Sequence, residues 1–514
     1  MSTLTEDQDA GQVSPSETHG PSRLGSIYRR ILTGTGIYSI AVLAQRLASV
    51  LMLPLFTRYL TPAEYGTLEI LDLSLNVFGM LFGVNFASAL FYHFFNAESE
   101  EHRNTVVSTT LLGSTLLGFT GAGVGFILSE RLSMFIFQSP AYSVWLRIML
   151  LNFAFTLPLE ATLYWLRAID RSRTFVIATL IRLGMAVALT ATSLVILKTG
   201  VQGVLWSNLI TSSVLSLALG GYCLWKTSWH MNLHIFRRLL RYSVPVTLTG
   251  AALFTMHYVD RFILQRYVSL AEIGIYSLAY KIGMMISNMQ SPFQTYWTSQ
   301  MYELASGPQG QKLLGRLFTY FFLFLATGAV VLIAFTGPGL KLMATAGYAG
   351  AASLVPWIVA AYVTRGVGDY FRAVFYTENK PVYDTQLNWI GAAVCVIAYF
   401  ALIPTWKVWG AVGATFLAFA SVAIIGYKWA HSLRGFSLEW WRLSTIAIGA
   451  MIPMVCAHFL PSLPLAAEIG ANAILMLLFP ALLWVLRFAT QPELDLLRNL
   501  RGRALRLAGV TLSA

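Results

Sequence analysis

The chain has 514 residues, of which 56% are hydrophobic and only 11% are charged. Because soluble domains usually contain about 25% charged residues, this composition excludes an ordinary soluble protein. The net charge of +12 raises the question of a nucleic-acid partner, and the distribution of the basic residues along the chain answers it.

Apolar stretches of about 20 residues, each long enough to cross a bilayer, follow one another along almost the whole chain. Backbone polar groups must be satisfied inside lipid, so such stretches form helices, whereas a β-barrel would show short alternating strands. We therefore predict an all-α polytopic membrane protein with about 14 transmembrane helices. They cover residues 34–56, 67–92, 106–128, 143–166, 175–197, 201–225, 243–265, 274–297, 315–336, 352–376, 384–404, 408–430, 444–463 and 467–487.

Lys and Arg residues are unequally divided between the two sides of these spans. The side of the N-terminus carries 23 of the 35, the other side carries 7, and 5 lie within spans. Because an excess of Lys and Arg marks the cytoplasmic side, both termini are predicted to be cytoplasmic. The basicity is thus a topology signal, and no nucleic-acid partner is predicted.

The polar ends of the chain carry no predicted span. Residues 1–33 are predicted to be a disordered cytoplasmic tail and lack the apolar region of a cleaved signal peptide. Residues 488–514 predict an amphipathic basic helix on the anionic inner leaflet, with a solvated charged helix as the alternative. Cys223, Cys395 and Cys456 lie in apolar spans, and their spacing fits neither a disulfide framework nor a zinc site. We expect no metal and no cofactor.

A polar phrase occurs twice, as RYLTPAEYG at 58–66 and RYVSLAEIG at 266–274, 208 residues apart. Arg29-Arg30-Ile31-Leu32 matches Arg237-Arg238-Leu239-Leu240 at the same offset, and Gly203 and Gly410 open the sixth and twelfth spans. The repeat therefore predicts two six-helix halves that have the same orientation and are related by a pseudo-two-fold axis along the membrane normal. The predicted bundles cover residues 34–230 and 231–432, and two extra helices cover residues 433–487.

Both copies of the phrase contain a helix-start signal. Thr61-Pro62-Ala63-Glu64 and Ser269-Leu270-Ala271-Glu272 fit the S/T-x-x-E capping box. Arg58 and Arg266 are expected to interact with the C-terminal dipole of the helix that precedes each of them. We favour this structural interpretation over the alternative, an external loop that contacts substrate.

These motifs resemble those of Wzx-type polysaccharide/O-antigen flippases in the multidrug/oligosaccharidyl-lipid/polysaccharide (MOP) exporter superfamily. The resemblance rests on RYLTPAEYG, on YVDRFIL (258–264) followed by RYVSLAEIGIYSLAYK (266–281), and on Gly203 and Gly410. It covers residues 28 to 487 and implies two bundles around a cavity that opens alternately to each side. It also implies translocation of undecaprenyl-pyrophosphate-linked oligosaccharide repeat units across the bacterial cytoplasmic (inner) membrane, for cell-surface lipopolysaccharide or exopolysaccharide. Implied partners are this lipid-linked oligosaccharide, membrane lipids, and a polymerase and glycosyltransferases of the same pathway.

Ionisable residues within the spans are the candidate functional residues. Each such charge facing lipid costs about 2.5–3.5 kcal/mol at the centre of a helix, so they are expected to pair or to face a wet cavity. Arg182 is close enough to a helix end to snorkel. The substrate-binding candidates are Arg46, Arg147, Lys281 and Arg365, and the candidates for cation coupling or gating are Glu69, Asp72, Glu160, Asp260 and Asp369; none is expected to be catalytic.

Some of these charges allow two interpretations. Arg365 and Asp369 are spaced i, i+4 and could form a structural salt bridge on one helix face. Glu69 and Asp72 share a face as like charges, which suits proton or sodium coupling, although two carboxylates in a water-filled vestibule would suffice. Glu160 and Arg365 occupy equivalent positions in the two halves, and we hypothesise that they approach across the cavity in one access state.

Other functions remain as alternatives at this stage. A multidrug or cation exporter and a lipid-linked peptidoglycan precursor flippase belong to the same superfamily. A membrane-embedded polysaccharide polymerase is less consistent with the short loops and with a single D-x-D, Asp7-Gln8-Asp9, in the tail. No G-x-x-x-x-G-K-[ST] loop is present, so we expect transport to draw on an ion gradient, a substrate gradient or partner enzymes.

Overall fold

The computed structural model describes residues 44–45, 48, 51–82, 86–305, 310–460, 463–491 and 493. Within these residues the structure is helical and contains no strand. Helix α1 includes residues 51–59. It is followed by α2 (Pro62–Phe82), α3 (Phe86–Phe95), α4 (Glu100–Ile127), α5 (Ser129–Phe137), α6 (Ser143–Ala168), α7 (Ser172–Ala191) and α8 (Gly200–Lys226).

The C-terminal half continues the same pattern of long helices. It contains α9 (Leu233–Tyr258), α10 (Asp260–Leu264), α11 (Leu270–Ala305), α12 (Gly310–Met343), α13 (Ala351–Thr377) and α14 (Pro381–Arg434). Helices α15 (Trp440–His458) and α16 (Leu465–Val485) follow and pack against α12 and each other.

Nine helices in this part of the chain are long and apolar enough to cross a membrane. One of them, α14, has 54 residues and would be about 80 Å long if straight, far more than the hydrocarbon thickness. Its backbone leaves the helical conformation at Lys407, with φ 50° and ψ −124°, between the predicted spans 384–404 and 408–430. The all-α polytopic fold class is confirmed. The number of 14 crossings and the domain boundaries stay predictions.

Both predicted capping boxes form, at the starts of α2 and α11. The Thr61 N–H donates to Glu64 Oε2 at 2.9 Å, and the Glu64 N–H donates back to Thr61 Oγ1 at 3.3 Å. Ser269 and Glu272 exchange the same two bonds at 3.0 and 3.2 Å. These bonds satisfy backbone donors that have no partner inside the helix, so the repeated phrase has the structural role predicted for it.

Loss of the capping hydroxyl is expected to weaken each helix start. Thr61→Ala and Ser269→Ala should each lower the free energy of unfolding by about 1 kcal/mol. Thr327→Ala is the matched control, because the Thr327 hydroxyl is exposed and bonds the Leu323 carbonyl of its own helix, and it should cost less than about 0.5 kcal/mol. Unfolding in detergent micelles, followed by circular dichroism, measures all three. Equal losses in the three variants would contradict the assigned role.

The two repeated phrases also cross each other. A Cβ atom on Gly66 would lie 2.0 Å from the carbonyl oxygen of Leu270, and one on Gly274 would lie 2.0 Å from that of Pro62. The contacts are equivalent, since both Pro62 and Leu270 and both glycines are 208 residues apart. In an interface with two-fold symmetry, residue i of one half contacts residue j of the other half, and residue j of the first contacts residue i of the second. Helices α2 and α11 therefore meet, backbone against backbone, about a local pseudo-two-fold axis.

The prediction that Arg58 and Arg266 interact with the helix preceding each of them is wrong. Arg58 donates to the Leu342 carbonyl at 2.7 Å, near the end of α12, and Arg266 donates to the Phe135 carbonyl at 2.6 Å, near the end of α5. The last carbonyls of a helix lack intrahelical donors, and those within reach of each long side chain belong to the other half. The glycine crossing and these two arginine contacts are together called the outer seal, after the side of the membrane on which the distribution of Lys and Arg predicts them to lie.

The chain beyond α16 is attached to the helices by an ion-pair cluster around Glu493. Arg316 donates to Glu493 at 2.8 Å and Arg442 at 3.1 Å. Burial raises the pKa of the Glu493 carboxyl, but hydrogen bonds from Tyr320, the Thr490 N–H and Arg316 outweigh burial and lower the pKa to about 2. The predicted tail at 1–33, and most of the one at 488–514, lie outside the described residues.

Candidate functional site

A cavity of about 340 Å³ lies between α1, α2, α7, α8 and α11, directly after the outer seal along α2. This volume is within the range of about 300–1,000 Å³ that is usual for ligand pockets. Its walls are mostly apolar, and its polar lining consists of Tyr65, Glu69, Asp72, Thr190, Asn208 and Lys281. Of these, Lys281 alone comes from the C-terminal half, so the cavity lies where the two halves meet.

One face of α2 supplies three of these polar groups. Tyr65, Glu69 and Asp72 follow each other at spacings of four and three residues, which places them on one side of a helix. All three line the cavity. The prediction that Glu69 and Asp72 share a helix face is therefore confirmed.

An ion pair joins the two halves at the cavity wall. Lys281 Nζ of α11 donates to Glu69 Oε1 of α2 and lies 5.0 Å from the centre of the Tyr65 ring. The Lys281 side chain is 45% exposed, whereas that of Glu69 is 11% exposed. The ammonium group therefore remains open to the cavity while it holds the carboxylate. A group in this position can exchange one anionic partner for another.

Asp72 is exposed to the cavity one turn further along α2. When Glu69, Asp72 and Lys281 are all ionised, two negative charges face one positive charge, so the cluster has an excess of one negative charge. Because like charges disfavour each other, an anion that binds Lys281 favours the uptake of a proton or another cation by Glu69 or Asp72. The cluster can thus couple the binding of an anion to that of a cation.

Arg365 and Asp369 form the salt bridge that their spacing allows, at 3.1 Å. Asp369 also accepts from Arg372 at 2.9 Å, and Arg372 in turn pairs with Asp384 at the start of α14. A second cavity, of about 180 Å³, is lined in part by Asp369, Arg372, Asp384 and Gln294. The structure therefore brings Arg365 into an alternating chain of four charges, separate from the cavity of Lys281.

Asp260, a candidate for cation coupling or gating, is fully buried in the protein. Its carboxylate accepts from Arg261 at 2.8 Å and from the Tyr276 hydroxyl. The Arg261 guanidinium lies 4.1 Å from the centre of the Tyr280 ring. Asp260 and Arg261 thus reach two tyrosines of α11, while α10 itself packs against α14 and α9.

The remaining candidates lie apart from the two cavities or outside the described residues. Arg147 bonds Ser129 at 2.8 Å and Glu130 at 3.3 Å, where α4 gives way to α5. Glu160 pairs with Arg182 at 2.6 Å, so in this conformation it does not face Arg365. The hypothesis of a Glu160–Arg365 approach concerns another access state and stays a prediction. Arg46 lies outside the described residues.

Sequence reasoning missed several members of these clusters. Tyr65 and Asn208 line the main cavity, and Arg372 and Asp384 complete the second charge cluster. Tyr65 precedes Glu69 by four residues and Arg372 follows Asp369 by three, so helical spacing from a known candidate was the available signal. Nothing in the sequence distinguishes Asn208 from other polar residues in spans. Within the described ranges, no group of three or more His, Cys, Asp or Glu is arranged to hold a metal ion.

The comparison with protein families shows which family the chain resembles. A family model described as "Polysaccharide biosynthesis protein" matches residues 31–297, which is more than half of the chain. No curated protein matches the sequence.

Several solved structures share the fold. Lipid II flippase MurJ, in an inward closed conformation, aligns with a TM-score of 0.70 and 14% identity over 87% of this chain and 98% of that chain. An inward-facing multidrug resistance MATE family transporter of the MOP superfamily aligns with a TM-score of 0.61 and 15% identity over 78% and 95%. An outward-facing conformation of a multidrug resistance MATE family transporter of the MOP superfamily aligns with a TM-score of 0.53 and 16% identity over 81% of this chain and 96% of that chain. At these identities the likeness establishes the fold alone, which is the one that the sequence motifs predicted.

Proposed function

The chain belongs to the polysaccharide biosynthesis protein family, and from this membership we propose that it is a flippase for lipid-linked oligosaccharides. Its substrate would be an undecaprenyl-pyrophosphate-linked repeat unit, moved across the bacterial cytoplasmic membrane by alternating access. The observation that carries this proposal is the ion pair of Lys281 and Glu69, which joins the halves at the wall of a cavity large enough for a head group. The chain is proposed to be a transporter and not an enzyme.

The cavity chemistry suits a negatively charged head group with an attached sugar. The Lys281 ammonium would take the pyrophosphate, because hydrogen bonds between ionised partners are the strong ones. Asn208 offers an amide to the sugar, and either Glu69 or Asp72 would take up a proton or a sodium ion as the anion enters. The outer seal is closed in this structure, so the head group would enter from the cytoplasmic side while its lipid chain stays in the bilayer.

The orientation and the further candidate residues follow as parts of the same proposal. Both termini are proposed to be cytoplasmic. Glycosyltransferases of the same pathway would act on the inner side of the membrane, and the polymerase would act on the outer side. Arg46 is proposed as a second ligand of the pyrophosphate. Further roles in binding or gating, in other access states, are proposed for Arg147, Arg365, Asp369, Glu160 and Asp260.

A second candidate function is export of cationic drugs. It is favoured by the excess of carboxylates over ammonium groups in the main cavity and by the shared fold with a MATE family transporter. A cation would bind Glu69 and Asp72 directly and displace Lys281. The two functions thus assign opposite charges to the ligand of one cavity.

Deletion of the gene, followed by extraction of lipid-linked glycans, tests the proposal. We expect completed repeat units to accumulate on the inner leaflet, and a plasmid copy of the gene to reverse this. Unchanged glycans together with an altered sensitivity to cationic drugs would contradict the flippase and favour the exporter.

A further inference from the structure

We propose that the Lys281–Glu69 ion pair is a latch for the outer seal, and that an anionic head group opens it by taking Lys281 from Glu69. The inference rests on the proposed function and extends it, since it assigns the binding site the task of opening the transporter.

The latch and the seal are built on the same two helices. Glu69 follows Gly66 by three residues and Lys281 follows Gly274 by seven, so the pair lies about 5 to 10 Å along the helices from the glycine crossing. Any movement that separates α2 from α11 at the crossing must therefore also part Lys281 from Glu69. Of the ion pairs between described residues, this one joins the two halves.

The other polar contacts across the seal involve neutral acceptors. The Thr57 hydroxyl donates to the Met343 carbonyl at 2.7 Å, and the Tyr348 hydroxyl donates to the Leu60 carbonyl at 3.0 Å. In these bonds and in the two arginine contacts, the acceptor is a backbone carbonyl oxygen. A ligand in the cavity does not change the charge of such an oxygen. The Lys281–Glu69 pair is the contact that an anion in the cavity can alter.

The sign of the electrostatic change favours opening. Without ligand, the two carboxylates of α2 attract the ammonium group of α11. A pyrophosphate bound to Lys281 carries at least two negative charges. The α11 side of the contact, which then consists of Lys281 and the pyrophosphate, has a net negative charge and faces Glu69 and Asp72. Attraction between the two helices then becomes repulsion, which at a few ångströms inside a protein is substantial. The seal is weakened at the moment when the head group is in place.

Cross-linking across the seal measures this effect. The Thr345 N–H donates to the Thr57 carbonyl at 3.3 Å, so the backbones of these two residues are in contact at the seal, as a disulfide between them requires. Thr57→Cys and Thr345→Cys would be combined in a protein whose three native cysteines are replaced with alanine. Oxidation in nanodiscs then traps the closed seal, and the rate of cross-linking reports how much of the protein is closed.

The probe is undecaprenyl pyrophosphate, with neutral undecaprenol as its control. We expect the pyrophosphate lipid to lower the ratio of closed to open protein, obtained from the cross-linking rate, by at least about fivefold, the factor that corresponds to about 1 kcal/mol, and undecaprenol to leave the rate unchanged. Glu69→Gln should slow cross-linking without any lipid. Glu468→Gln is the matched control, because Lys341–Glu468 is a Lys–Glu pair of nearly equal exposure, 44% and 12%, that joins α12 to α16 and not the two halves, and it should have no effect.

Different results would contradict the proposed latch and the proposed flippase function. If the pyrophosphate lipid binds in the same nanodiscs but leaves the cross-linking rate unchanged, the latch is wrong while the proposed function stands. If Glu69→Gln cross-links as fast as the parent, the latch is also wrong. If the lipid does not bind and gene deletion strands no repeat units, the proposed function is overturned and the latch with it.

Discussion

Lys281→Gln is expected to weaken binding of a pyrophosphate lipid by at least about tenfold and to lower transport to a similar extent. The substitution removes a charge-assisted bond worth about 1.5–3 kcal/mol, where about 1.4 kcal/mol is a factor of ten. It also leaves Glu69 and Asp72 without their cation. Lys281→Arg keeps the positive charge and should retain a large part of both properties. Binding to the purified protein in nanodiscs, and complementation of cells that lack the gene, measure the two effects.

Lys341→Gln is the control for the loss of a positive charge. Lys341 has the same type of partner, Glu468, and nearly the same exposure as Lys281, but it does not line the cavity. It should bind the pyrophosphate lipid as the parent does. If Lys281→Gln and Lys341→Gln behaved alike, the cavity would not be the binding site.

Gly66→Ala and Gly274→Ala are each expected to prevent closure of the outer seal and to abolish transport. The new methyl group would lie 2.0 Å from a backbone oxygen of the other half, far closer than two atoms in contact, which prefer about 3.5–4.0 Å. Neither backbone can yield without parting α2 from α11. Cross-linking between Thr57→Cys and Thr345→Cys should fall below detection in both variants.

Gly221→Ala is the matched control for this prediction. Gly221 lies on an exposed face of α8, where an added Cβ meets no other atom within 4 Å. Alanine in a helix is more stable than glycine by about 0.5–1 kcal/mol, so this variant should be slightly stabilised and fully active. Normal transport by Gly66→Ala would show that the crossing does not have to close during the cycle.

The sequence predicted the local structure of the seal but not the partners of its side chains. A capping box is encoded within four residues, so both copies could be recognised and both form. The contacts of Arg58 and Arg266 could not be foreseen, because the carbonyl groups they reach belong to helices of the other half. The repeat indicates that the two phrases are equivalent, but equivalence does not say that they touch.

The candidate site was predicted in part for the same reason. The spacing of Glu69 and Asp72 places them on one face, and the membrane cost of a charge indicates that Lys281 needs a partner or water. Which carboxylate pairs with Lys281 depends on how α2 packs against α11, 212 residues apart. The contacts of Asp260 with Arg261 and Tyr276 likewise depend on helix packing that the sequence does not show.

Transport by the purified protein tests the central claim most directly. Proteoliposomes that contain this chain alone would be loaded with the lipid-linked glycan that accumulates in cells lacking the gene, and the fraction exposed outside would be measured with an impermeant reagent. We predict protein-dependent translocation that Lys281→Gln lowers by at least about tenfold and Lys341→Gln preserves. Translocation at the rate of protein-free liposomes, or equal rates in the two variants, would contradict it.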